Sequence, residues 1–83
     1  MVAYVAFQSI QDERKQVFAQ LVSQGGTIST EDIEAIIGKS KPMALRLMDT
    51  FVALDLCRSE VTKDATGRPM KLLVLNDEFM YLA

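Results

Sequence analysis

The chain contains no histidine and a single cysteine, Cys57. One cysteine cannot form an internal disulfide, and without histidine it cannot complete a Cys/His zinc site. Histidine is also the commonest general base in enzymes, so acid–base catalysis lacks its usual residue here. We expect Cys57 to be a small buried side chain rather than a redox sensor.

Other signatures of catalysis are missing from the sequence as well. There is no nucleophile motif and no cluster of metal-binding residues, and Gly25-Gly26 alone does not make a phosphate-binding loop. The Ser-x-x-Asp pairs that begin at Ser9 and Ser29 have the spacing of helix caps. The sequence therefore predicts a protein that is not an enzyme and that carries no cofactor and no metal.

Long apolar runs are absent too. The longest one, Val2–Phe7, is far shorter than the roughly 20 residues that cross a bilayer, and no positive side chain precedes it as in a signal peptide. Apolar residues nevertheless make up 49% of the chain, which excludes disorder by composition. We expect one cytoplasmic domain, residues 1–83, whose small core needs good packing, a partner chain or a larger parent protein.

Apolar residues recur at helical spacing in three segments. The predicted helices cover residues 9–24, 29–38 and 40–56. A serine stands at the predicted N-cap of each helix, and Pro42 lies in the first turn of the third helix, where proline is tolerated. Glycines end the first two helices, because glycine adopts the left-handed conformation without steric cost.

The periodicity then changes from helical to alternating. Two strands are predicted at residues 57–63 and 70–75, joined by a loop of about six residues rich in turn formers. Asn76 is predicted to cap a last short helical or irregular segment. The predicted core consists of Phe18, Leu21, Ile33, Ile37, Leu47, Phe51, Leu54 and Leu72.

The apolar ends of the chain leave alternatives open. Residues 1–8 could form a short strand, a lead-in to the first helix, or an arm that packs on a second copy. Together with Phe79–Leu82 they could complete the monomer core or form a small dimer surface. The sequence predicts a homodimer, because the N-terminal run is apolar and the core of so short a chain is marginal.

The stretch ISTEDIEAIIGKSKPMALRLMDTFVALDLCRSE resembles the winged helix-turn-helix family of DNA-binding domains. The features that match are the cap Ser29, the small residue Gly38, the basic turn Lys39-Ser40-Lys41-Pro42 and the exit Leu54-Asp55-Leu56. The family's usual glycine in that exit is replaced by Asp55, which tolerates the left-handed conformation less well than glycine. The resemblance spans residues 9–76. It implies a mainly α fold of three helices with a small β-hairpin, the wing.

The net charge of −2 conceals an uneven distribution of charge. Residues 38–48 and 57–71 carry seven of the nine basic residues and two of the eleven acidic ones, a net +5, while the rest of the chain is −7. These stretches are the ones with which a winged helix would touch DNA. Since phosphate neutralisation supplies most non-specific DNA affinity, a local basic face matters more than the total charge. Such residues are also typical of a solvated surface.

The predicted DNA-contacting residues are Lys39, Ser40, Lys41, Met43, Arg46, Arg58, Lys63, Arg68 and Lys71. Arg46 is expected to read a guanine; the alternatives are a phosphate contact or a pair with Asp49. Met43 could touch a thymine methyl group or have no role. Arg68, beside the flexible Gly67, could reach the minor groove or its phosphates, or simply be a surface arginine.

Two functions are consistent with these patterns. The first is a transcription regulator of a prokaryote, plasmid or virus that reads double-stranded DNA with the third helix and the wing. The second is an accessory winged-helix domain of a larger replication protein, a helicase or primase, that binds protein, or DNA without sequence preference. The sequence offers no ligand pocket and no long dimerisation helix, which favours the second function.

Overall fold

The computed structural model describes residues 2–83, and their side chains from residue 12 onward. Along the chain the elements are α1 (Val2–Ser23), β1 (Thr27–Ser29), α2 (Thr30–Ile37), α3 (Lys41–Ala53), β2 (Cys57–Lys63), β3 (Pro69–Leu75) and a C-terminal 3₁₀ helix (Asp77–Leu82). The three α-helices and the hairpin follow the predicted order. The predicted strand at residues 57–63 has the bounds of β2.

The first helix is longer than predicted. It begins at Val2, so Ser9 lies inside the helix and the prediction that Ser9 is its N-cap is wrong. The Ser-x-x-Asp spacing was misleading because it fits the interior of a helix as well as its start. The apolar N-terminal run is therefore part of α1 and not a strand, and of the predicted alternatives the lead-in to the first helix comes nearest. The dimer surface predicted for the side chains of that run lies outside the described residues.

The end of α1 is a tight turn built on two glycines. The amide of Gly26 donates to the carbonyl of Leu21 (2.9 Å) and that of Gly25 to the carbonyl of Val22 (3.1 Å), the two bonds of a Schellman motif. Both glycines have positive φ, and a Cβ on Gly26 would lie 2.9 Å from the sulfur of Met80. The positive φ values favour glycine at both positions, and a side chain at position 26 would also have to displace the Met80 thioether.

The helix-turn-helix is set by local capping. The hydroxyl of Ser29 accepts a hydrogen bond from the Asp32 amide (3.1 Å), which confirms the predicted cap of α2. Gly38 ends α2 in the left-handed conformation at φ 65°, and its amide donates to the Glu34 carbonyl (2.8 Å). Only residues 38–40 separate α2 from α3, which is the short connection of a helix-turn-helix.

The exit from α3 differs from the prediction in length but not in geometry. The helix ends at Ala53 rather than near Leu56. Asp55 follows at φ 59°, and its amide donates to the Val52 carbonyl (3.0 Å), so it occupies the left-handed position expected of it. The side-chain amide of Asn76 donates to the Asp55 carbonyl (2.8 Å). Asn76 holds this turn instead of capping the 3₁₀ helix with its side chain.

The wing belongs to a three-stranded antiparallel sheet in the order β1-β3-β2. The pairing sets Ile28 opposite Leu73 and Cys57 opposite Leu75. β1 was not predicted, because a three-residue strand with one apolar residue has no recognisable period. β3 begins at Pro69, so the loop at the wing tip covers residues 64–68 and is shorter than predicted.

One hydrophobic core lies between the helices and the inner face of the sheet. Its buried residues are Val17, Leu21, Ile28, Ile33, Ala44, Leu47, Met48, Phe51, Cys57, Leu73 and Leu75, with Phe18, Ile36, Ile37, Leu45, Leu56 and Phe79 packed against them. The rings of Phe18 and Phe51 lie 6.1 Å apart and tilted by 34°, which joins α1 to α3. Six of the eight predicted core residues lie in this cluster or against it.

The other two predicted core residues were wrong. Leu54 is 59% exposed, because α3 ends before it and Leu56 packs against the core instead. Leu72 is only partly buried, because Leu73 and Leu75 take the inner face of β3 and side chains alternate across a strand. The apolar run Leu72–Leu75 gave no indication of which alternate residues face inward.

This architecture is a winged helix-turn-helix: α2 and α3 form the helix-turn-helix, α1 completes the helical core, and β2 and β3 form the wing. The extra strand β1 joins the start of α2 to the sheet. None of the helices described from residue 2 onward is long and apolar enough to cross a membrane.

The position of Phe51 predicts a large loss of stability on truncation. Phe51→Ala removes a ring that is 4% exposed and packs on Phe18, and should lower the free energy of unfolding by about 3–5 kcal/mol. Leu54→Ala, three residues further on, should change it by less than about 0.5 kcal/mol because that side chain is already exposed. Urea denaturation of both variants measures the difference, and similar losses would contradict this placement of the core.

Candidate nucleic-acid interface

Two grooves flank α3, one on each side. The α1–α3 groove has a volume of about 260 Å³ and is lined by Glu13, Arg14, Ile37, Lys39, Met43, Arg46, Leu47 and Thr50. The wing groove, about 350 Å³, lies between the wing and the starts of α2 and α3, and is lined by Thr30, Glu31, Glu34, Lys41, Leu45, Val61, Asp64, Pro69, Met70 and Lys71. The outward face of α3 lies between the two grooves.

Lys39, in the turn between α2 and α3, does not project freely as the sequence suggested. Its ammonium lies 2.7 Å from a carboxylate oxygen of Glu13 in α1. The Glu13 side chain is only 20% exposed, so this pair is less screened by water than a surface ion pair. The pair ties the turn to α1 and offsets the charge of Lys39.

The first turn of α3 presents residues to solvent as predicted. Ser40 holds the N-cap position, but its hydroxyl makes no capping bond; the amides of Met43 and Ala44 donate to its carbonyl instead (both 3.1 Å). Lys41 is exposed and Met43 is 40% exposed. Lys41 lines the wing groove and Met43 the α1–α3 groove, so the two face opposite sides of the helix.

Arg46 is exposed on the outward face of α3, one turn into the helix. Among the residues with described side chains no carboxylate lies within ion-pair distance of it, and the predicted alternative of a pair with Asp49 does not form. Asp49 pairs with Lys71 of the wing instead, at 3.7 Å. The guanidinium of Arg46 is therefore free to meet a ligand.

The wing residues divide into paired and unpaired cations. Arg58 lies 3.3 Å from Glu60 and 3.5 Å from Asp77, and Lys71 is held by Asp49. Lys63 is exposed at the end of β2 and has no carboxylate partner among the described side chains. Arg58, near the base of the wing, and Lys71, further along β3, are thus partly neutralised within the chain.

The wing tip is more ordered than its glycine suggested. A single carboxylate oxygen of Asp64 accepts hydrogen bonds from the Thr66 hydroxyl (2.6 Å), the Thr66 amide (2.9 Å) and the Arg68 amide (3.0 Å). Gly67, at φ 84°, donates its amide to the Asp64 carbonyl (3.0 Å). These bonds fix the backbone of Arg68, whose exposed side chain has no ion-pair partner among the described residues.

The pKa of the Asp64 carboxyl is shifted by these hydrogen bonds. The hydrogen bond from the Thr66 hydroxyl, followed by that from the Arg68 amide, lowers the pKa of Asp64 below its ordinary value of 3.8. In the opposite direction, burial raises the pKa of the Cys57 thiol to about 11. Cys57 is therefore a neutral core residue at neutral pH, as predicted, since the thiolate is the reactive form.

In the folded chain, basic and acidic residues are less completely separated than they are along the sequence. Glu31 and Glu34 of α2 line the wing groove beside Lys41 and Lys71. Pairing removes the three cations Lys39, Arg58 and Lys71 from the free basic surface. What is left on α3 and the wing are the unpaired, exposed cations Lys41, Arg46, Lys63 and Arg68.

One basic residue at the site was missed. Arg14 of α1 lies exposed in the α1–α3 groove together with Arg46, although sequence reasoning assigned it to the acidic remainder of the chain. A signal was present: Arg14 precedes Phe18 by four residues, so it shares a helix face with the ring that packs on α3.

The hydrogen bonds at the wing tip predict how the Asp64 carboxylate responds to pH. Because the pKa of Asp64 is lower in the folded chain than in the unfolded one, its carboxylate bonds persist above pH 3.8 and are lost only as the pH falls through the folded value. An NMR pH titration should give a lower midpoint for Asp64 in the folded chain than in urea. Thr66→Ala should raise that midpoint, because it removes the strongest donor, and an unchanged midpoint would contradict this reading of the loop.

No protein-family model matches the chain, and no curated protein matches it in sequence. Among solved structures, the fold is similar to that of Stf76 from the Sulfolobus islandicus plasmid-virus pSSVx. The match has a TM-score of 0.65 and 17% sequence identity, and it covers 84% of this chain and 91% of that chain. At this identity the likeness shows a shared fold.

Proposed function

We propose that the chain is a member of the winged helix-turn-helix DNA-binding proteins and binds double-stranded DNA with α3 and the wing. The observation that carries the proposal is the set of unpaired, exposed cations on these two elements: Lys41, Arg46, Lys63 and Arg68. Cations without a carboxylate partner keep their full charge for phosphates, and phosphate contacts supply most of the affinity for DNA.

The shape of the site supports duplex rather than single-stranded nucleic acid. α3 has 13 residues and is exposed on its outward face, and the major groove is wide enough for one α-helix. The hydrogen bonds of the wing tip fix the backbone of Arg68, and an exposed arginine at this position can reach a phosphate or the minor groove. Single-strand binders instead use exposed aromatic platforms, and neither α3 nor the wing exposes an aromatic ring.

The finer proposal is a sequence-specific transcription regulator of a prokaryote, plasmid or virus. Arg46 supports it, because an unpaired arginine in the middle of the exposed helix face can hold a guanine through two hydrogen bonds. The likeness to the plasmid-virus protein Stf76 is in keeping with this source but rests on the fold. An accessory domain of a larger replication protein, binding DNA without sequence preference, is the alternative that the experiment below distinguishes.

Two kinds of contact should respond differently to substitution. Lys41→Gln and Arg68→Gln should weaken binding to all duplexes alike, and each should reduce the slope of log K against log salt by about 0.9, as expected for one phosphate contact. Arg46→Ala should cost about 1–3 kcal/mol on a selected site and little on random duplex. Fluorescence anisotropy at two salt concentrations, after site selection from a random library, measures both effects.

The control and the contrary outcomes are defined by the same assay. Lys15→Gln removes an exposed cation of α1 that lines neither groove, so it should leave the slope unchanged. Equal losses on all sequences from all three substitutions would favour the accessory domain. Absence of duplex binding at low salt, where phosphate attraction is strongest, would show that the proposed DNA-binding function is wrong.

We further propose that the chain forms a homodimer. Support comes from exposed apolar side chains at the C-terminal 3₁₀ helix, where Tyr81 is 80% exposed and Met80 and Leu82 about 40%. Multi-angle light scattering at high micromolar concentration should give twice the chain mass, and Tyr81→Ser should shift the mass towards that of the monomer. A monomer mass for the wild type would refute the proposal.

A further inference from the structure

The α1–α3 groove contains a cation, Arg14, that is not among the proposed contacts of α3 and the wing. Arg14 and Arg46 enter it from different helices, and within the described side chains neither has a carboxylate partner. Among the described residues that line this groove the one acid is Glu13, and Lys39 engages it at 2.7 Å. The groove therefore carries excess positive charge that the chain itself does not neutralise.

The groove also lies on a defined side of α3. Met43 and Thr50 face it, whereas Lys41 and Leu45 face the wing groove on the opposite flank. A helix in the major groove, which is about 12 Å wide, has a sugar–phosphate strand on each side. The wing lies on one flank of α3, and Arg14 is the cation that α1 places on the other flank.

We infer that the α1–α3 groove is a phosphodiester-binding site in which Arg14 contacts the DNA strand on the side of α3 away from the wing. The inference rests on the proposed DNA-binding function and extends its footprint to α1. The lining fits a sugar–phosphate strand: Arg14 can bind the phosphate, and the apolar side chains Ile37, Met43 and Leu47 can contact the deoxyribose.

The neighbouring ion pair makes this role specific to Arg14. Lys39 lies in the same groove but is held by Glu13, so its charge is already offset. The next residue, Lys15, is equally exposed but lines neither groove. Adjacent cations on one helix should therefore behave differently towards DNA, which provides a matched control.

The test compares Arg14→Gln with Lys15→Gln by fluorescence anisotropy on a duplex that the wild type binds. Both variants lose one positive charge and keep an apolar stem, and circular dichroism checks that both fold. Arg14→Gln should lower the salt slope by about 0.9, so the advantage of the wild type over this variant should shrink roughly 3.5-fold between 50 and 200 mM salt. Lys15→Gln should follow the wild type.

A second measurement locates the contact on the DNA. Neutral methylphosphonates placed one at a time along each strand should reveal a phosphate at which the wild type loses affinity and Arg14→Gln does not. That phosphate should lie on the side of the major groove opposite the phosphate matched to Arg68→Gln. Agreement of both measurements supports the inference, because a purely structural role of Arg14 would not single out one phosphate.

The experiments distinguish failure of this inference from failure of the proposed DNA-binding function. If the wild type binds duplex and Arg14→Gln keeps the wild-type salt slope, the inference is wrong while the proposed function stands. If Arg14→Gln keeps that slope but changes the mass in light scattering, the groove contacts an acidic segment of a second copy, and the inference is again wrong. If the wild type binds no duplex at low salt, the inference and the proposed function fall together.

Discussion

The central strand β3 is the constraint on which the rest of the molecule depends. It pairs with β1 on one side and β2 on the other, and its side chains Leu73 and Leu75 are fully buried against the helices. The buried hydroxyl of Thr30, at the start of α2, donates to the carbonyl of Lys71 in this strand (2.9 Å). This hydrogen bond joins the start of α2 to the wing strand β3. The wing is therefore anchored to the helix-turn-helix.

Ion pairing within the chain then decides which cations can act. Carboxylates engage Lys39, Arg58 and Lys71. The Lys39 pair joins the turn before α3 to α1, and the Lys71 pair joins the wing to α3. Of the unpaired cations, Arg14 and Arg46 line the α1–α3 groove, Lys41 lines the wing groove, and Lys63 and Arg68 are exposed at the far end of the wing.

Much of the fold could be predicted from local sequence signals. Capping by Ser29, the left-handed Gly38 and the short turn specified the helix-turn-helix, and the change of period after residue 56 specified the hairpin. Asp55 was correctly placed in a left-handed turn although the resemblance called for glycine there. These features are predictable because each depends on the conformational preferences of a few adjacent residues.

The other features were decided by tertiary structure alone. The run Leu72–Leu75 did not indicate which face of β3 is buried, and β1 is a strand only because β3 lies beside it. Which basic residues are neutralised, and the entry of Arg14 into the site, depend on side chains distant in sequence. The sequence by itself thus determined the order and turns of a winged helix-turn-helix and the identity of its basic elements. The packing of α1 and of β3 determined the composition of the candidate DNA-binding surface, because burial and ion pairing are contacts between distant segments.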